Sequence, residues 1–237
     1  MIRVAAIGDV HMARDARGTL HEAFARLPAV ADVLLLAGDL TRRGTEEELD
    51  VLLDELGGVS VPQVAVLGNH DFESDRSDAL VKLLEGAGVR VLEGTAAVVR
   101  VDGETLGIAG TKGFGGGFAG ACGSDFGEPE MKAFVRHSRA LADALGRALR
   151  GLDTDARIAL THYAPVKDTL SGERPEIAPF LGSYLLGEAI DGAGADLAVH
   201  GHAHNGVEKG VTPGGVPVRN VALPVIKTAY ALYCLRS

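Results

Sequence analysis

Acidic, amide and imidazole side chains recur at one kind of position in this chain, just past a short aliphatic run and beside a glycine. Asp9 and His11 follow Arg3–Ile7, and Asp39 follows Val33–Ala37 in Gly38-Asp39. Asn69, His70 and Asp71 follow Gln63–Leu67 in Gly68-Asn-His-Asp71. His162 follows Ala156–Thr161, and His202 and His204 follow Leu197–His200 in Gly201-His-Ala-His204. Ligands of open α/β sheets bind outside the carboxyl ends of the strands, so five separate segments are expected to deliver these groups to one edge. Glycines 8, 38, 68 and 201 allow sharp backbone turns there. Oxygen and imidazole donors without thiolates suit Mn, Fe, Zn or Mg ions. The seven residues Asp9, His11, Asp39, Asn69, His162, His202 and His204 exceed what one catalytic ion uses, about four to six donors. They suffice for two ions if one carboxylate bridges, and ion pairs roughly 3.5–4 Å apart catalyse in-line phosphoryl displacement.

The elements that carry these groups alternate as βαβ units do. Strands are expected at Arg3–Ile7, Val33–Ala37, Gln63–Leu67 and Val89–Leu92, with helices at Thr19–Leu27, Glu46–Leu56 and Ser77–Glu85. Thr45-Glu-Glu-Glu48 reads as a capping box, Thr45 and Glu48 each satisfying a free amide of the other's turn. Asp102-Gly103, between Ala96–Val101 and Thr105–Ala109, is a two-residue hairpin signal. A glycine-rich loop from Thr111 to Glu128 precedes a long helix ending at Gly151. Further strands are expected at Ala156–Thr161, Leu197–His200, Val216–Val221 and Thr228–Leu235, with a helix over Ser183–Ile190. No low-complexity tract or internal repeat divides the chain, so residues 1–237 read as one mixed α/β domain.

Composition narrows the partners. The chain has 237 residues, 46% of them hydrophobic and 23% charged, enough to bury a core without staples. A net charge of −9 disfavours nucleic acid as a bulk partner. No apolar run approaches the roughly 18–20 residues of a membrane span. The first residues turn polar at Asp9, too early for a signal-peptide core. With only Cys122 and Cys234, read as packing or loop-filling residues with reduced thiols, the expected location is cytoplasmic.

In order and spacing, Asp9-x-His11, Gly38-Asp39, Gly68-Asn-His-Asp71, His162 and Gly201-His-Ala-His204 resemble the calcineurin-like metallophosphoesterase superfamily. The resemblance implies an αββα double β-sandwich, two mixed sheets flanked by helices. It implies two divalent metal ions, one held by Asp9, His11, Asp39 and His204, the other by Asp39, Asn69, His162 and His202, with Asp39 bridging. His70 would then assist the leaving group; imidazole changes charge near neutral pH, and general acid catalysis contributes about 10²–10⁴ in rate. The implied reaction is hydrolysis of a small phosphate ester, a diester before a monoester, by a hydroxide held between the ions. In the protein-phosphatase branch the Gly-Asp motif continues with an aspartate that orients the histidine and an arginine that grips phosphate. Here Arg42 stands at the aspartate position and Arg43 at the arginine position, which points to the bacterial phosphodiesterase-like branches and leaves the orientation of His70 open.

The remaining groups are read more plainly. His200 is expected to be structural, Asp71 to bond backbone rather than metal, and His21 and His137 to lie on helices. The 111–128 loop lacks the spacing of a P-loop and is expected to be a mobile flap presenting Phe114 and Phe118 near the site, with Lys167 and Arg174 on a second wall. Two other readings stand beside the hydrolase: a non-catalytic scaffold, whose mark would be eroded histidines, and a nuclease, which would need a basic channel.

Overall fold

The computed structural model describes residues 1–235. In chain order its strands are β1 (Ile2–Ile7), β2 (Val33–Ala37), β3 (Gln63–Val66), β4 (Val89–Val91), β5 (Thr95–Val101), β6 (Glu104–Thr111), β7 (Gly117–Phe118), β8 (Ala121–Cys122), β9 (Ala156–Thr161), β10 (Leu197–His200), β11 (Lys209–Val211), β12 (Pro217–Asn220) and β13 (Ala231–Leu235). Its helices are α1 (His21–Ala25), α2 (Leu27–Val30), α3 (Glu46–Glu55), α4 (Ser77–Gly86), α5 (Pro129–Arg150), α6 (Ala178–Leu181), α7 (Tyr184–Ala193) and α8 (Leu223–Ile226).

Two mixed sheets stack face to face. One has the order β13-β1-β2-β3-β4, the other β11-β12-β10-β9-β6-β5. Alternate residues of each inner strand feed different cores, because successive side chains point to opposite faces. Val33, Leu35, Val64 and Val66 of the first sheet meet Leu106, Ile108, Ile158, Leu160 and Val199 of the second. Their neighbours Leu34, Leu36 and Ala65 turn outward onto Phe24, Leu27, Leu49, Leu52, Leu80 and Leu84 of α1–α4. The outer face of the second sheet offers small residues, Ala109, Ala159 and Ala198, against Ala142, Leu145 and Leu149 of α5 and Leu186 and Ile190 of α7. Strands covered on both sides read as unbroken apolar runs, as Val33-Leu-Leu-Leu-Ala37 does. This is the helix–sheet–sheet–helix architecture expected from the resemblance.

Several local expectations are refined. The helix expected over Thr19–Leu27 is two short helices meeting at Arg26. Pro28 lacks an N–H and crowds the carbonyl four residues back, so one continuous helix cannot pass. Half of the capping box forms: the Thr45 hydroxyl accepts the Glu48 N–H at 3.3 Å, while the Glu48 carboxylate takes the Arg43 N–H at 2.7 Å. Asp102 (φ +48°) and Gly103 (φ +90°) close the β5–β6 hairpin as the primed turn their identities favour. The segment expected as a flap is anchored near its middle. Gly116 and Gly117 donate to the Pro179 and Gly182 carbonyls, and β7 and β8 form a small hairpin within it. Strand β11 pairs antiparallel with β12 across the Pro213-Gly-Gly turn, while helices α6 and α8 and the β7–β8 hairpin carry no strong sequence signal.

Register places the strand ends side by side. Ile7 pairs with Leu36, Ala37 with Val66, and Leu160 with Val199, all parallel. Asp71, 0% exposed, ties the turns after β2 and β3 together. Its carboxylate accepts N–H groups of Leu40, Thr41 and Gly68 and the Thr41 hydroxyl, at 2.7–3.2 Å. It therefore bonds backbone, as expected. Asp71→Ala would strand several buried donors at about 1–3 kcal/mol each. A loss of at least about 3 kcal/mol in urea unfolding is expected, with Asp71→Asn losing less; an alanine variant within 1 kcal/mol of the parent would show that these bonds do not organise the turns.

Candidate metal centre

The seven predicted donors converge on the rim where the two sheets meet. One side-chain atom each from Asp9, His11, Asp39 and His204, and likewise from Asp39, His162 and His202, lie within 4.8 Å of one another. Asp39 belongs to both groups. Asn69 joins the second, its Oδ1 3.0 Å from His162 Nε2. Inter-sheet bonds hold this seam: Gly8 donates to the Val221 carbonyl at 2.9 Å, and the His202 N–H donates to the Asp9 carboxylate at 2.9–3.0 Å.

The glycines are there because nothing larger fits. Gly38 has φ +82°, and a Cβ on it would lie 2.6 Å from the His162 ring. At Gly68 a Cβ would collide with Asp39 itself. The donors also bend the backbone. Of seven non-glycine residues with positive φ among the described residues, four are Asp9, His11, Asp39 and His202. Such conformations cost of order 1–3 kcal/mol each and cluster where the surrounding structure over-determines them for function.

The electrostatics are those of a cation site. Asp9 and Asp39 are 2% and 1% exposed, and no lysine or arginine among the described residues lies within 4.0 Å of either. Burial pushes the Asp9 carboxyl up to about 6, against the opposing pull of His204, which bonds it at 2.8 Å. That same bond raises His204. Burial lowers His11 to about 4 and His202 to about 3, and drives His162 well below the usual imidazole range. These three rings are therefore neutral at pH 7, with lone pairs available. His162 Nδ1 donates to the Ala37 carbonyl at 2.9 Å, which fixes its tautomer and aims Nε2 at Asp39, 3.4 Å away. His11 and His204 bring their Nε2 atoms within 3.4 Å of each other. Two buried carboxylates with one imidazole bonded to them and no lysine or arginine beside them are costly. A divalent cation removes that cost, so the donor set fits the group that the fold implies.

His70 stands beside this cluster. Its N–H donates to Asp39 Oδ1 at 2.8 Å and its ring meets that of His11 edge-on at 4.6 Å. Nδ1 lies 2.8 Å from the Arg42 carbonyl oxygen, which accepts its proton. A backbone carbonyl thus orients the ring where an aspartate side chain is missing, a role that residue types alone could not disclose. Arg43 is exposed. Its N–H and carbonyl are taken by Glu48 and Ser74, and its guanidinium makes no bond among the described residues. Arg42 lies closer, its charge helping to lower His11.

Other expected contributors fall elsewhere. Phe114 is one ring removed from the donors: it packs on Tyr163 at 5.8 Å, and Tyr163 lies 4.3 Å from the His202 ring. Phe118 is buried against Ala164, Leu181 and Ala203. With Lys167 it lines a separate cleft of about 610 Å³ that shares no residue with the metal cluster. His200 is fully buried on the Gly201 carbonyl and Thr169 Oγ1, a structural histidine as expected. Cys122 and Cys234 are free and exposed. Among the described residues no helix is long and apolar enough to cross a membrane.

Comparison with known proteins agrees with this geometry. Phosphopantetheinyl hydrolase from Mycobacterium tuberculosis superposes with a TM-score of 0.70 at 19% identity, over 94% of this chain and 90% of its own. TT1561 of Thermus thermophilus gives 0.53 at 19% identity over 92% and 88%. A putative 5'-nucleotidase from Staphylococcus aureus gives 0.57 at 16% identity, over 92% of this chain and 48% of its own. At these identities the likeness is one of fold. No curated protein matches by sequence. The model of the family described as calcineurin-like phosphoesterase matches residues 2–206, a span that holds all seven donors and His70, and the chain belongs to that family.

Proposed function

We propose that this protein hydrolyses a small phosphate ester, a diester in preference to a monoester, at a centre of two divalent metal ions. The observation that carries the reading is the convergence of seven donor side chains on a seam that holds two buried carboxylates and, among the described residues, no lysine or arginine within 4.0 Å of either. Asp9, His11, Asp39 and His204 would hold one ion, and Asp39, Asn69, His162 and His202 the other. Ions bound there supply water of lowered pKa and positive charge against phosphoryl oxygens.

The chain's own residues do the rest. Asp39, held by the His70 N–H, anchors both donor groups and so sets their separation. His70, its Nδ1 committed to the Arg42 carbonyl, keeps Nε2 for a proton passed to the departing alkoxide. Arg42 and the exposed Arg43 give the rim positive charge that a bound phosphate can reach. The diester preference is supported by the Gly38-Asp-Leu-Thr-Arg-Arg-Gly44 motif, in which arginine replaces the aspartate of the protein-phosphatase branch. The likeness to a phosphopantetheinyl hydrolase adds phosphopantetheine esters to the substrates worth assaying. A scaffold without catalysis is disfavoured because none of the donors is eroded.

Asp39→Ala should reduce bound metal to background, read by elemental analysis, and abolish hydrolysis of bis(p-nitrophenyl) phosphate. A variant that retains both metal and turnover would overturn the reading. His70→Ala should keep its metal yet lose about 10²–10⁴ in kcat with little change in KM, the usual worth of a general acid. The loss should shrink on a substrate with a good leaving group, since such a group needs no proton; an equal loss on poor and good leaving groups would assign His70 another task.

A further inference from the structure

Lys112 is 9% exposed, yet its ammonium has little to bind. Of its three N–H donors, one reaches the Gly113 carbonyl at 3.2 Å. No carboxylate oxygen of the described residues lies within 4.0 Å of it, and no other hydrogen bond engages it. The adjacent Glu93 is already used, one oxygen by the Thr111 hydroxyl and the other by the Lys112 backbone N–H. The rest of the surroundings is aromatic: Nζ lies 5.2 Å from the centre of Phe72, 4.9 Å from Phe114 and 5.2 Å from Tyr163. Three ring faces within about 6 Å stabilise a desolvated cation without satisfying its N–H groups.

That cage sits against the metal centre. Phe72 is two residues past His70, and Tyr163 follows His162 and stacks 4.3 Å from the His202 ring. The Lys112 carbonyl accepts the N–H groups of both His162 and Tyr163 at 3.0 Å, which fixes the residue to the end of β9. Its ammonium feels the charges of Glu93 and Asp39, and its own charge helps to lower His162. A caged cation with N–H groups to spare, between the His70 turn and the His162–His202 arm, is matched to an oxyanion arriving in the cleft.

We propose that Lys112 is a substrate-binding residue whose ammonium donates to a non-bridging phosphate oxygen on the His162–His202 side of the centre. The assignment rests on reading the cleft as a phosphate-ester site. In a chain of net charge −9, this cation would offset the acidic surroundings of the rim and favour anionic esters over neutral ones. The aromatic walls would restrict the ammonium to one position, so that phosphate is oriented as well as attracted.

The test uses the full, Mg²⁺-loaded protein and inorganic phosphate as probe. In lysine labelled with ¹³C at Cε, the Lys112 signal, identified by its loss in Lys112→Arg, should shift saturably on titration with phosphate and not with chloride. Lys112→Met should raise both KM for bis(p-nitrophenyl) phosphate and Ki for phosphate about tenfold, as expected for a lost hydrogen bond to a charged group. Metal content should be unchanged, and Lys112→Arg should recover part of the loss. A Lys112 signal indifferent to phosphate overturns the assignment even if the methionine variant fails to fold. A parent protein that hydrolyses the diester, with a methionine variant matching it in KM and Ki, overturns this assignment alone. A parent that neither hydrolyses the diester nor binds phosphate overturns the phosphate-ester reading and this assignment with it.

Discussion

Two carboxylates, Asp9 and Asp39, are buried side by side where the two sheets meet, and much of the molecule is arranged around holding them there. Like charges removed from water repel and lose solvation. The fold meets the difficulty with fixed backbone donors and imidazoles: the N–H groups of His70 and His202 point at the acids, and His11, His162 and His204 crowd around them. Such a cluster is incomplete in chemical terms. Its lone pairs and negative charge call for a cation, and so the seam is the least self-sufficient part of the fold.

The second demand is angular. Four of the donors adopt left-handed backbone conformations, and the glycines beside them leave no room for a Cβ. Asp71 supplies the rigidity that keeps these turns in place, since one carboxylate gathers donors from the turns after both β2 and β3. The Arg42 carbonyl does comparable work for His70. A carbonyl fixes the tautomer as an aspartate would, but it adds no negative charge to a rim that already holds two buried acids. In this chain, Arg42 thus brings a positive side chain to the turn while its carbonyl holds the His70 ring.

Much of this was legible before folding was considered. The βαβ alternation, the Asp102-Gly103 hairpin and the long helix ending at Gly151 follow from local rules about periodicity and turns, and all are present. So did the donors, because hydrophobic strands announce their own ends and the chemistry-bearing residues sit just beyond them. Local rules failed where competing partners decide the outcome. The helix expected over Thr19–Leu27 breaks at Arg26, Glu48 takes the Arg43 N–H instead of completing the cap, and the glycine-rich loop donates to carbonyls at Pro179 and Gly182.

Residue types and spacing in the chain were sufficient to name which side chains carry lone pairs and to assign them to strand ends, since strand periodicity is a property of neighbouring residues. They could not say that a backbone carbonyl aligns His70, or that Lys112 lies caged among Phe72, Phe114 and Tyr163. Those facts depend on distances between segments far apart in the chain, as between Phe72 and Lys112. They are set when two sheets stack with one register and no other, and backbone atoms and aromatic faces, which leave no motif in a sequence, become the partners that decide what each side chain can do.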